Sequence, residues 1–172
     1  MSRNSIASAS TPSLRQLGLL SLAVVLALVA AAPAAAKGPR PFRARGEAVW
    51  DNVFNGLAPT GANFTGTAQA THLGRTAQQG TLFLLAAPTP TQPVVPGRGS
   101  VTLTAANGDT LSFDYRGVLN AGTGEGKGGF VFTGGTGRFA GATGRGTFEA
   151  LIDVSRPSNQ PMVVKLDGLI NY

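Results

Sequence analysis

The chain of 172 residues has no cysteine, so disulfides, thiol chemistry and lipid attachment at cysteine are all excluded. It has one histidine, His72, and a single histidine without cysteine cannot build a structural zinc site. No carboxylate–histidine spacing suggests another metal, so neither a metal nor a cofactor is expected. No G-x-S-x-G occurs, and Ser112 and Ser155 fall on outward positions or in loops, which removes the case for a serine triad. Glu149, Asp153 and Asp167 fall on outward parities, whereas glycoside hydrolysis needs two inward carboxylates. Helix signals are scarce as well: beyond residue 36 no window keeps apolar residues at a 3.6 spacing.

The N-terminus carries the one long apolar run. Arg3 and Arg15 sit in an acid-free, Ser-rich lead, and Leu17 to Ala32 is almost wholly apolar. Pro33-Ala34-Ala35-Ala36 then supplies small residues. This layout predicts a secretory signal peptide over residues 1–36, cleaved after Ala36, rather than a membrane anchor, because the run is short and ends without a charged stop. The absence of an Arg-Arg pair points to general secretion, and hence to a secreted or periplasmic protein with no remaining membrane span. Residues 37–172 then make one ordinary domain, large enough to hold a core unaided.

The formal charge is +6, part of which leaves with Arg3 and Arg15. Lys37, Arg40, Arg43 and Arg45 crowd the new N-terminus beside Pro39 and Pro41, and residues 37–45 read as a solvated basic tail. No aromatic residues interleave with the basic ones in a stacking pattern, so nucleic acid is not an expected partner.

What fills the rest is period-two alternation. Ala48, Trp50, Asn52 and Phe54 share one parity. Phe64, Gly66, Ala68, Ala70 and His72 share the next, a small and mostly apolar face suited to a curved barrel interior. Thr81–Ala86 is a continuous apolar run that reads as a strand buried on both faces, and the four-proline stretch Ala87–Gly99 reads as an extended surface loop. Val101–Ala105 and Thr110–Leu119 flank Asn107-Gly108, a strong hairpin signal. Val101, Leu103, Leu111, Phe113 and Tyr115 point inward on that pair. Asn120–Gly129 reads as a glycine-rich loop. Phe148, Ala150, Ile152 and Val154, then Met162, Val164, Leu166, Gly168, Ile170 and Tyr172, give two further inward faces. About eight short strands joined by turns predict an all-β domain over residues 46–172. A single antiparallel eight-stranded closed barrel is the first expectation, because closure removes exposed edges, and a two-sheet sandwich is the second.

Gly124-Glu125-Gly126-Lys127-Gly128-Gly129 matches G-x-G-x-x-G by letter, but a strand follows where a dinucleotide loop requires a helix. The motif that organises the chain lies just beyond it. Gly134-Gly135-Thr136-Gly137-Arg138-Phe139-Ala140-Gly141-Ala142-Thr143-Gly144 reads as a glycine-punctuated corner in which Phe139 tucks beneath the barrel end. It resembles the G-G-T-G-x-F element of plant dirigent proteins, which share an eight-stranded barrel with allene oxide cyclase. Together with Thr71–Arg75 and Ala105–Thr110 it is similar to small exported bacterial proteins of that barrel type. The resemblance implies the barrel and a possible homo-oligomer. It matches corner residues (Gly134, Gly135, Gly137, Arg138, Phe139, Gly141 and Gly144) rather than pocket residues, so no catalytic role is carried over.

Three functions stay open at this level: an exported barrel that binds a small apolar molecule or serves as a scaffold; a cofactor-free cyclase or isomerase, as the resemblance implies; and an envelope-associated interaction protein. Shared inward parity gathers Trp50, Asn52, His72 and Tyr115 as candidate ligand-binding residues at one barrel mouth.

Overall fold

The computed structural model describes residues 38–172; the expected signal peptide lies outside them. Eight strands run in chain order: β1 (Arg40–Asn55), β2 (Ala58–Ala70), β3 (Gly74–Leu84), β4 (Val94–Ala105), β5 (Thr110–Asn120), β6 (Glu125–Gly135), β7 (Thr143–Ile152) and β8 (Gln160–Asn171). Each pairs antiparallel with its neighbours, and β8 returns to β1 with Arg40 opposite Ile170 and Trp50 opposite Gln160. The result is an up-and-down closed barrel with no free edge. Its ladder closes within residues 40–171, and the described core lies in the same span.

In such a barrel successive connections lie at alternate ends. The β2–β3, β4–β5 and β6–β7 turns mark the corner end, with both described termini. The β1–β2, β3–β4, β5–β6 and β7–β8 connections mark the other, the Trp50 end.

The corner end is packed solid. Phe42, Phe113, Phe130 and Phe132 meet with ring centroids 5.0–6.3 Å apart, mostly edge to face, where the positive rim of one ring meets the negative face of the next. Phe139 is fully buried on a 3₁₀ turn over Gly137–Phe139 and lies 4.9 Å from the Tyr172 ring, closing the barrel from below as its sequence motif implied. Gly137 (φ +57) and Gly141 (φ +73) take left-handed backbone on either side, which a β-carbon would strain. Arg138 sits over Phe139 at 5.0 Å and reaches Asp109 at 3.6 Å, tying this corner to the Asn107-Gly108 hairpin. That hairpin forms as expected: Gly108 takes φ +87 and donates to the Ala105 carbonyl at 2.9 Å.

Several boundaries differ from the sequence reading, for one physical reason: a barrel strand needs only every second residue to be small or apolar. Residues 40–45 are not a tail but the start of β1. Phe42 and Ala44 are buried while Arg43 and Arg45 face water, and Arg43 pairs with Asp167 of β8 at 3.1 Å. Thr81–Ala86 is not buried on both faces, for Phe83 and Leu85 are 60% and 59% exposed. Val94–Gly99 belongs to β4; Pro96 is accommodated because it faces outward and its carbonyl still accepts from the Leu85 amide. Residues 125–129 are strand as well, with Gly126 and Gly128 on the inward parity. Val154 lies beyond β7 and is exposed.

Candidate functional site at the Trp50 end

The interior toward the Trp50 end holds a cavity of about 70 Å³. Its deep wall is Phe64, Leu166 and Phe113; Trp50, Tyr115 and Phe148 flank it, and Gly97, Gly117, Gly126 and Ala150 form its shallow part. The hollow exists because Gly126 and Ala150 carry only a hydrogen and a methyl group near this end, where the corner end carries phenyl rings; at Gly97 and Gly117 the space is taken by Leu82 and by the Lys127 carbonyl. Val118 is the exposed member of the cavity lining.

The aromatic walls are fixed in place. The Trp50 and Phe64 rings stack at 5.9 Å with an interplanar angle of 5°. Phe64 in turn lies over Gly80, where any β-carbon would strike its ring. The Trp50 indole N–H donates to Asn52 Oδ1 at 2.9 Å, the Asn52 amide donates to Gln160 Oε1 at 3.4 Å, and the Gln160 amide donates to the Arg156 carbonyl at 2.6 Å. This relay holds the indole edge and the β7–β8 connection together. Tyr115 crosses Gly99, where a β-carbon would stand 2.7 Å from its hydroxyl, and donates to the Thr81 carbonyl at 2.9 Å. Its phenol is buried, which pushes its pKa up, because the charged form would lose its hydration. Gln78, the buried polar residue of the lining, donates to the Glu47 carbonyl at 3.1 Å.

Each interior polar group is thus bonded within the protein, and no buried side-chain nitrogen or oxygen among the described residues lacks a partner. A general acid or base needs a free polar atom aimed at the substrate. The cavity lining is mostly apolar, and its Gln78 amide N–H and Tyr115 hydroxyl already donate to backbone carbonyls.

Of the four residues gathered by parity, the structure brings three to this region. Trp50 and Tyr115 line the cavity, and Asn52 stands behind Trp50 as its hydrogen-bond partner. His72 is elsewhere, a correction to the shared-mouth expectation. It lies in the β2–β3 turn at the corner end, with φ +69, Nε2 2.9 Å from the Pro41 carbonyl and its ring 5.5 Å from Tyr172. Alternation failed there because β2 ends at Ala70 and a turn rotates the next residues off the sheet face. Gln78, Gly126 and Phe148 were overlooked as site residues. The signal for Gln78 was present, since Thr76, Gln78, Gly80 and Leu82 share a parity, but only if β3 is begun before Thr81.

No described residues form a His/Cys/Asp/Glu group able to hold a metal ion. No described helix is long and apolar enough to cross a membrane. No protein-family model matches the chain, and no curated protein is significantly similar to it. Among solved structures, it is similar to a pterocarpan synthase dirigent protein at 14% identity and a TM-score of 0.44, covering 79% of this chain and 87% of that one. The fold assignment stands on the strand order and register given above.

Proposed function

We propose that this is an exported barrel that takes a narrow apolar group, such as the end of a short alkyl chain, into the cavity at its Trp50 end. The observation that carries the reading is the contrast between the two ends. One is filled by phenyl rings, while the other keeps glycine and alanine against a stacked Trp50–Phe64 wall. Size sets the guest. The cavity of about 70 Å³ is about half the 150 Å³ hollow that admits benzene and well below the roughly 300–1,000 Å³ of drug-sized pockets. A whole polycyclic substrate does not fit inside, and the polar groups are already bonded, so binding is favoured over cyclase chemistry. Export rests on the Leu17–Ala36 pattern.

Trp50, the only tryptophan, is a built-in reporter. Titration with short bromoalkanes, whose heavy atom quenches indole emission, should give saturable quenching of Trp50. Quenching that rises linearly, as for free tryptophan in solution, would refute the reading.

A further inference from the structure

The rim of the Trp50 end differs from the rest of the surface. Of thirteen exposed large hydrophobic side chains among the described residues, only Val131 and Leu169 lie in the corner half. Phe54, Leu57, Phe83, Leu85, Val94 and Val154 all belong to the rim, and Leu57, at the β1–β2 tip, is 100% exposed. Charge is missing there as well. Residues 52–74, 76–97 and 117–124 contain no Asp, Glu, Lys or Arg, so three of the four connections at this end are uncharged. The fourth holds Asp153 and Arg156, which face each other at 3.9 Å. Part of the backbone of the long β3–β4 connection is bonded internally. Thr89 and Gln92 exchange amide–carbonyl bonds at 3.1 Å, and the Pro93 carbonyl accepts from the Ala121 amide.

We infer that this rim docks on the interface of a lipid bilayer, with the loop tips seated among headgroups and acyl chains. Uncharged loops with exposed apolar tips and partly bonded backbone suit an interfacial segment, because charges are costly to take into that layer while the headgroup region still offers hydrogen-bond partners. Depth is limited by Asp51, Glu125, Lys127 and Glu149, which face outward just below the loops, so the barrel seats at the surface and does not span. A bilayer suits this rim better than a second copy of the chain does. The tips project unequally, from a two-residue turn at Gly56-Leu57 to a long loop at residues 85–93, and lipid conforms to such relief. The loop tips themselves hold only the facing Asp153 and Arg156, with Asp51 and Glu125 just below them, so docking rests on apolar contact and should hold on neutral vesicles and survive salt. The inference does not depend on what the cavity holds.

The test is flotation of the barrel, residues 37–172, with phosphatidylcholine vesicles at low and high salt, and with vesicles containing anionic lipid. The barrel should float with neutral vesicles at both salt concentrations. The triple variant Phe54→Ser/Leu57→Ser/Leu85→Ser should lose roughly tenfold or more in partitioning, since affinity follows buried apolar area. Its melting temperature should be unchanged because these side chains are exposed, and Leu169→Ser in the corner half should float like the parent. The inference is overturned if the parent stays at the bottom with neutral vesicles or binds only anionic ones at low salt. It is equally overturned if the triple variant floats undiminished. A dimer seen by sedimentation that the triple variant converts to monomer, without flotation of the parent, would assign the rim to a second copy instead.

Discussion

Gly126 offers the sharpest experiment on the cavity. It sits on β6 at an inward position, outside the left-handed region, and a β-carbon there would stand 3.6 Å from the Ala150 Cβ and 3.9 Å from the Val118 carbonyl. Those are ordinary contacts, so Gly126→Ala places a methyl group in the hollow without displacing anything. Restricting the unfolded chain contributes about 0.4–1 kcal/mol, and burying one methyl group contributes about 0.8 kcal/mol. The barrel should therefore gain about 1–2 kcal/mol, read as a higher urea midpoint with an unchanged slope. Gly126→Val should occupy still more of the space and abolish saturable quenching of Trp50 by bromoalkanes. The pair separates two accounts of the hollow. If it is a binding site, stability rises as guest affinity falls, the usual trade at a functional site. If Gly126→Ala destabilises the barrel, the interior is not hollow at this point. If Gly126→Val leaves quenching unchanged, the guest does not use this cavity.

Two further outcomes follow from the same packing. Phe139→Ala should cost about 3–5 kcal/mol, measured by urea denaturation, because the ring is fully buried and supports Tyr172; a cost below about 1 kcal/mol would show that the corner does not close the barrel. Burial raises the folded-state pKa of Tyr115 above the unfolded value of 10.0. Its contribution to stability is therefore complete below about pH 10 and is lost as pH climbs past that point. Urea midpoints should fall on going from about pH 8 to about pH 11, and Tyr115→Phe should remove part of that fall. An equal fall in the variant would place the alkaline sensitivity elsewhere.

The sequence by itself determined the class of fold. Alternation in stretches such as Thr147–Val154 and Met162–Tyr172, the Asn107-Gly108 turn and the glycine corner around Phe139 are local features, and local φ/ψ preferences with period-two burial make a barrel of short strands the economical solution. They placed Trp50 and Tyr115 inside as well, but not Phe54, which shares the Trp50 parity in the sequence and is turned outward by the bulge at Val53/Phe54. Strand limits were less legible: Arg40–Arg45 looks like a tail and Glu125–Gly129 like a loop, because what makes them strand is pairing with residues more than a hundred positions away or with the flanking strands β5 and β7. Only the tertiary structure decided which end each inward residue occupies. His72 and Trp50 share a parity in the sequence but lie at opposite ends, since parity records the face of a sheet and says nothing of height along the barrel axis. The hollow was decided there too. Gly126 and Ala150 come from neighbouring strands β6 and β7, and only barrel closure sets their small side chains in one interior with Trp50 of β1.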